Sequence, residues 1–496
     1  MCGVIGIIGP TRNQAWLKET PSAALEVYRG LLTLQHRGQD AAGILSFDDY
    51  QNRFQQVKDL GLVASVFNEN NLGGLKGPMA IGHTRYATVG SDGAEDLQPM
   101  VAPVPYGIGM VHNGNIVNYF DLASKLKAKN KVQLLSYNDL EVILQIWTQS
   151  LMESWIEKNT NFNFAEALKA STVLVNEIEG AYALVGMVAG VGLFGLRDPH
   201  GIRPLVLGRK QLEDKTYAYC LCSETLSLNF LGYEYVRDIE PGELIFIDRE
   251  GKIHCEVIKK EDNLRAACMF EWIYFSGAES SIEKKSVYSA RLRLGQVLAR
   301  KVQTLMDDGN INPDFVCPVP DTSRTAAIAL AESLNIPYRE GLIKNRYIQR
   351  SFILNKQQAR EKAVELKLSP VRSEIEGKNI LLIDDSVVRG TTSKKIISLL
   401  KRYGAKRVTL GITCPPLRYG CFYGIDFPKA ETLIASNKTV DQIAQYVGAD
   451  EVVYLDEADV KEAIGISDLC MACVNSKYPT STGHIEEFST KRDALR

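Results

Sequence analysis

Residues 380–393 read ILLIDDSVVRGTTS: an apolar run, two adjacent acids, and a Gly-Thr-Thr-Ser turn that opens a helical pattern. The run begins at Asn379 and predicts a buried strand, NILLID (379–384). In an open α/β sheet, ligands bind outside the carboxyl ends of the strands. Gly390 lets a backbone approach closely. The N–H groups of Thr391, Thr392 and Ser393 can then cradle a phosphate at a helix N-terminus. Asp384 and Asp385 suit ribose hydroxyls or a hydrated Mg²⁺. No Gly-Lys-Ser/Thr follows, so this is not a P-loop, and it is not GxGxxG either. The plain alternative is two helix-capping acids before a solvated turn.

The pattern repeats outward. FVCPVP (315–320) precedes the helical DTSRTAAIALAESLN, and RVTLGIT (407–413) follows the Gly-Thr-Thr helix. Short apolar strands alternating with helices predict a parallel sheet in a doubly wound domain. Upstream, the polar stretch KKEDNLRAA (259–267) is the candidate boundary. Before it the chain is rich in short strands and glycine turns: MAIGHTRYAT (79–88), YGIGMVHNG (106–114) and ELIFID (243–248). Helices are expected over Leu25 to Gln35 and Leu140 to Glu157. The division expected is an N-terminal α+β domain over 2–260, an α/β domain over 261–480 and a solvated tail over 481–496.

At 496 residues, with 45% hydrophobic and 23% charged, the chain has ordinary globular composition; disorder, collagen and coiled coil are excluded as its main state. A net charge of −2 argues against bulk electrostatic binding to nucleic acid or membrane and leaves room for a local basic pocket. The uncharged run from Gly180 to Leu196 is short for a membrane span and broken by glycines. It is expected to form a β-hairpin turning near Ala189 and Gly190. No basic residue precedes the apolar MCGVIGII, so no secretory signal is read and a cytoplasmic setting is expected. There, ten cysteines are candidates for ligands, nucleophiles and inert thiols rather than a disulfide framework.

Cys2 follows the initiator Met. If Met1 is removed, one residue carries a thiol and a free α-amine, whose ordinary pKa values lie at about 8.5 and 7.7–8.0. The amine can take the thiol's proton, giving a self-contained nucleophile and base. The plain alternative is a small residue starting a strand. Four further segments decide between them: QHRGQDAAG (35–43), GHTRYATVG (82–90), HNGNI (112–116) and RDPHGIRPL (197–205). With MCG they resemble the glutaminase domain of the N-terminal-nucleophile amidotransferases, over roughly the first 235 residues. The resemblance implies an αββα fold. It implies Cys2 as nucleophile, Arg85 gripping the glutamine carboxylate, Asp139 pairing with its ammonium, and Asn113 with the Gly114 N–H stabilising the oxyanion. Arg37 and Arg203 read as loop-holding residues, and Asp139 alone would read as a helix N-cap. Some members carry a propeptide; here only Met1 precedes Cys2, so Met removal is the expected maturation. The ammonia released implies a second, sheltered site.

ILLIDDSVVRGTTS resembles the 5-phosphoribosyl-1-pyrophosphate (PRPP) motif of type I phosphoribosyltransferases. PDTSRTAA (320–327) and KNRYIQRSF (344–352) match one subgroup, the glutamine PRPP amidotransferases. The resemblance implies that Thr322, Asp384 and Asp385 surround Mg²⁺. It puts Arg389 through Ser393 on PRPP, and Lys344, Arg346 and Arg350 on a mobile loop over it. The ordinary reading of that loop is a solvated basic stretch.

CMAC (470–473) alone is a weak metal or redox signal. Cys268 in AACMFEWIYF and Cys421 in YGCFYGID stand, with Cys470 and Cys473, where the iron–sulfur branch of this family ligates a [4Fe–4S] cluster. Four thiolates suit that cluster and structural Zn²⁺ alike, and they could also be unliganded. Cys220, Cys222, Cys255, Cys317 and Cys414 are expected to be buried thiols in strands. The whole resemblance, reaching about Thr480, implies ammonia transfer from glutamine to PRPP, giving phosphoribosylamine, glutamate and pyrophosphate for purine nucleotide synthesis. It also implies feedback by purine nucleotides and a homo-oligomer, dimer or tetramer. Tyr274 and Tyr86 are candidates for an ammonia path. The rival readings are an amino-sugar amidotransferase, which would need isomerase domains, and a non-catalytic PRPP sensor.

Overall fold

A computed structural model describes residues 1–10, 22–86, 93–158, 161–258, 265–345, 368–425, 427, 430–481 and 483–492. Up to residue 258 the chain forms two antiparallel sheets, built from strands β1 (Gly3–Ile8), β2 (Ala41–Asp48), β3 (Arg53–Leu60), β4 (Met79–Arg85), β5 (Met100–Ala102), β6 (Ile108–Ile116), β7 (Gly180–Val188), β8 (Gly192–Arg197), β9 (Val206–Gln211), β10 (Tyr217–Cys222), β11 (Glu234–Asp238), β12 (Glu243–Asp248) and β13 (Ile253–Val257). One sheet runs β11-β9-β10-β1-β4-β2-β3 and the other β13-β12-β8-β7-β6-β5.

Alternation along the strands explains the layering. Val4, Ile8, Leu45 and Ile81 on one sheet meet Val111, Val185 and Leu193 on the other. The opposite faces differ. Ile5, Ile7 and Ile44 pack under Val27 and Leu31 of helix Ala23–Thr33. Phe194 of β8 stacks on Trp147 of helix Asp139–Lys158 at 4.7 Å between ring centroids. Helix, sheet, sheet and helix are therefore stacked in that order, the expected αββα arrangement, and the expected hairpin is β7–β8.

The second half holds a parallel sheet of strands Phe315–Pro318, Asn379–Asp384, Arg407–Ile412 and Glu451–Tyr454, adjacent in that order. A parallel bridge from Val316 to Tyr338 extends it on the other side of Phe315–Pro318. The chain thus leaves Phe315–Pro318 in one direction and continues from Asn379–Asp384 in the other. The gap between those two strands is the switch point at which doubly wound sheets bind ligands.

Two expectations need correction. Cys255 lies on the edge strand β13 and is exposed; Cys414 is buried but lies two residues past its strand. The solvated tail expected after residue 480 carries a helix, Ile485–Arg492, which buries Phe488 against Phe120. One aromatic residue in a polar stretch anchors it. No helix among the described residues is long and apolar enough to cross a membrane.

Candidate active site

Cys2 precedes β1, whose neighbour β4 ends at Arg85, with Gly3 opposite Thr84. The Cys2 N–H donates to Asn113 Oδ1 at 3.1 Å, and Cys2 Sγ lies 3.8 Å from the Tyr86 carbonyl oxygen. Asn113 is fully buried on β6, and its Nδ2 has no hydrogen-bond partner among the described residues. A buried amide donor without an acceptor is costly unless something arrives to accept from it. An oxyanion formed at Cys2 is such an acceptor. Burial pushes the Met1 amine down to about 6, and Arg203 and Arg37 press the same way.

Asp139 opens helix Asp139–Lys158, but the N-cap role falls to Asn138, whose Oδ1 accepts from the Leu140 N–H. The Asp139 carboxylate instead accepts from the Ile116 N–H at 3.1 Å and sits 3.3 Å from His112 Nδ1. It is fixed against the strand that carries Asn113 and Gly114. Arg85 is buried at the end of β4. Residues 87–90 of GHTRYATVG fall outside the described residues.

Arg37 and Arg203 hold backbone, as their plain reading had it. Arg37 Nε donates to the Cys2 carbonyl at 3.0 Å, and Arg203 Nε to the Tyr423 carbonyl at 2.8 Å. Between them stand two acids not singled out in the sequence. Glu271 takes both Arg37 terminal nitrogens at 3.0 Å and lies 3.5 Å from Arg203 Nη1; Glu224 takes Arg37 Nη1 at 2.6 Å. All four side chains are buried. Burial opposes both carboxylates' charge, but the partners outweigh it, holding Glu224 at about 2 and Glu271 below the usual range. The signal was present: a lone Glu inside AACMFEWIYF has little reason to be there unless paired. Tyr274, in the short π-turn Glu271–Phe275, is partly exposed, its ring edge-on to Phe275.

At the switch point Thr322, Asp384 and Asp385 come together. The Thr322 hydroxyl donates to Asp385 Oδ2, and the Asp385 N–H donates to Asp384 Oδ1 at 2.9 Å. Burial, then the charge of Asp385, pushes Asp384 well above the usual carboxylate range; burial also raises Asp385, against Thr322, Ser386 and Arg291. Two buried neighbouring carboxylates call for a cation. Mg²⁺ bound by one or two carboxylates plus substrate oxygens suits them. Gly390, at φ +72°, turns the chain into helix Thr391–Arg402, and a Cβ there would lie 2.6 Å from Ile434 Cδ1. Thr391 and Thr392, which open the helix, are exposed at the strand end with Arg389 exposed beside them, and Ser393 is buried. Lys344 pairs at 2.6 Å with Asp321, the residue before Thr322; Arg346 and Arg350 lie outside the described residues.

Cys268, Cys421, Cys470 and Cys473 line one small cavity of about 10 Å³, with Arg203, Tyr423 and Tyr478. Cys268 and Cys470 are opposite each other in a short parallel pairing. Burial pushes Cys268 up to about 11 and raises Cys470 and Cys473 further. Among the described residues no three His, Cys, Asp or Glu side chains are placed to hold one metal ion.

Comparison with known proteins identifies the two halves. A glutamine amidotransferase domain family matches residues 83–228, and a phosphoribosyl transferase domain family matches 288–420. The amidophosphoribosyltransferase of Escherichia coli is 41% identical over 94% of this chain and 88% of its own. That of Methanocaldococcus jannaschii is 40% identical over 97% and 98%. Among solved structures, the glutamine PRPP amidotransferase from B. subtilis complexed with ADP and GMP superposes with a TM-score of 0.81. It is 37% identical, with 97% of this chain and 98% of that one covered.

Proposed function

This chain belongs to the amidophosphoribosyltransferase family, and from that premise we propose how its residues carry out glutamine-dependent amidotransfer to PRPP. The buried, unpartnered Nδ2 of Asn113 beside Cys2 carries the reading. The Cys2 thiol passes its proton to its own α-amine, and the sulfur attacks the side-chain amide carbon of glutamine. Asn113 Nδ2 and the Gly114 N–H meet the oxyanion. The amine returns the proton to the leaving nitrogen, the C–N bond breaks, and ammonia departs from a thioester that water cleaves to glutamate. Arg85 and Asp139 hold the α-carboxylate and α-ammonium.

At the second site Asp384 and Asp385 would hold the ribose of PRPP and, with Thr322, would hold Mg²⁺. The first turn of helix Thr391–Arg402 takes the 5-phosphate. Bound Mg²⁺ supplies positive charge to the pyrophosphate oxygens. Ammonia's lone pair attacks the anomeric carbon as the bond to pyrophosphate breaks. Lys344 and Arg346 stand on the segment that would meet the leaving group. A PRPP sensor would have no use for Asn113's free amide.

Four thiols around one cavity would supply the ligand set of a [4Fe–4S] cluster, the group for which the iron–sulfur branch of the family uses these positions. No residue of either reaction site is among them, so the cluster's role is structural or oxygen-sensing. Purine nucleotides are the proposed feedback ligands, in keeping with the ADP and GMP named for the B. subtilis enzyme. A cytoplasmic homo-oligomer is the proposed working form. The test supplies glutamine, PRPP and Mg²⁺ and measures glutamate and pyrophosphate, expected in equal amounts. Cys2→Ala should abolish glutamine-dependent synthesis and leave synthesis from high ammonia. Loss of both in a folded variant would overturn the two-site reading.

A further inference from the structure

Three consecutive residues of the transferase half contact the glutaminase half, two of them on the strand bearing the oxyanion donors. The Phe422 carbonyl accepts from Asn115 Nδ2 at 2.8 Å. The Tyr423 carbonyl accepts from Arg203, which also meets Glu271, the partner of the Arg37 that holds the Cys2 carbonyl. Gly424 lies against Gly114 itself: a Cβ on Gly424 would be 2.9 Å from the Gly114 carbonyl oxygen, 3.1 Å from its carbonyl carbon and 3.3 Å from its Cα. Every atom in that last contact is backbone, so no flexible side chain can yield. Gly424 is at φ +100°, a conformation side chains rarely adopt.

Gly114 needs such support. On one side β6 is held by β7, where Gly114 is opposite Tyr182 and Asn115 opposite Ala181. On its other side the three-residue β5 pairs with Ile108 to Met110 and stops short of Asn113, and beyond it the His112 and Ile116 N–H groups donate to the side chains of Gln98 and Asp139. The Phe422–Gly424 segment adds the backbone contact on Gly114 itself. An oxyanion donor works only within a few tenths of an ångström of its required position.

Resting on the glutaminase reading above, we infer that Phe422–Gly424 is a positioning element for the oxyanion hole: the transferase half sets where Gly114 and Asn113 stand in the glutaminase half. A hydrolase domain relying on this clamp is complete only when docked on its acceptor domain. That arrangement suppresses ammonia release by a glutaminase half that is not seated.

Gly424→Ala in the full-length enzyme tests this. Displacing Gly114 should lower the glutaminase kcat roughly 10- to 100-fold, up to the effect of losing a donor. KM for glutamine should change by less than about twofold, since Arg85 and Asp139 are untouched. Ammonia-dependent synthesis should be retained. Alkylation of Cys2 by iodoacetamide, followed on the N-terminal peptide, should keep its rate, because that displacement develops no oxyanion. Asn115→Ala, which removes the bond to Phe422, should move the same ratio in the same direction and serves if Gly424→Ala does not fold. An unchanged glutaminase kcat in the folded variants would overturn the inference. So would a parallel fall in the ammonia-dependent rate or in Cys2 alkylation. A wild-type enzyme with no glutaminase activity would instead sink the underlying reading.

Discussion

Glu224 offers a sharp physical test because its environment fixes both the size and the sign of the effect. Its carboxylate is buried and accepts from Arg37 at 2.6 Å, from His36 at 2.8 Å, and from the Gly277 N–H and Ser280 hydroxyl at 2.8 Å each. Burial alone would raise its pKa; His36 and Arg37 overcome that and lower it from 4.5 to about 2. That shift corresponds to about 3 kcal/mol of folding stability at neutral pH. A folded pKa below the unfolded one means that this stability is present in full above about pH 4.5 and lost as pH falls toward 2. At pH 3 less than half of it should remain. Glu224→Gln keeps the shape, removes the charge and leaves Arg37 with Glu271 alone, a change in the range of about 3–5 kcal/mol for a broken buried pair. In a domain of this size the melting temperature should drop by about 6–20 °C at pH 7. Scanning calorimetry of wild type and variant at pH 7, 5 and 3 should show a gap steady between pH 7 and 5 and more than halved at pH 3. A gap under about 1 °C at pH 7, or one that does not shrink by pH 3, would refute the assignment of charge to this pair.

The other outcomes concern the acceptor site and the thiols. Asp384→Asn with Asp385→Asn should weaken PRPP binding measured with Mg²⁺ by about tenfold or more while basal glutaminase survives, since two charges facing the cation are lost; unchanged PRPP affinity would refute the site. Anaerobically purified protein should be brown with about four irons and four sulfides per chain. Cys470→Ser should lose the iron and expose the segment after residue 470 to protease, as ligand binding to the native state contributes folding free energy. One zinc per colourless chain would replace the cluster, and a metal-free, stable and active wild type would remove both.

What could be read from the residues was local and periodic. NILLID gave its strand to the residue, because six apolar or strand-ending positions between turn signals leave little choice. The helix after Gly390 starts where the Gly-Thr-Thr turn predicts. Asp384 and Asp385 stand out in the strand–acid–glycine pattern, and Asn113 and Asp139 only through the family resemblance; the fold sets Asn113 beside Cys2 and the two aspartates beside each other. The contacts between halves were not. Nothing in YGCFYGID says that the carbonyls of Phe422 and Tyr423 face Asn115 and Arg203, over 200 residues away in sequence. Backbone carbonyls carry no residue signature. The helix at Ile485–Arg492 was missed for a related reason: its stability comes from one docked ring, not from an apolar stripe.

The junction's composition also bears on why the halves share one chain. Ammonia crossing between two sites must avoid bulk water, where it would be protonated, so the junction has to be dry. Apolar packing alone supplies dryness: Met269, Phe270, Trp272 and Ile273 are buried there. Yet the same turn buries Glu271 with Arg37 and Arg203, and Arg291 donates to the carbonyls of Trp272, Tyr274 and Ser276. Replacing such buried ions by well-packed hydrophobic residues is often neutral or stabilising, so stability does not require them. Hydrophobic residues, however, tolerate sliding, and these arginines do not. Each fork fixes a particular carbonyl: Cys2 for Arg37, Tyr423 for Arg203, the π-turn for Arg291. The charged groups hold the nucleophile and the acceptor domain in one register, and the apolar residues between them keep out water.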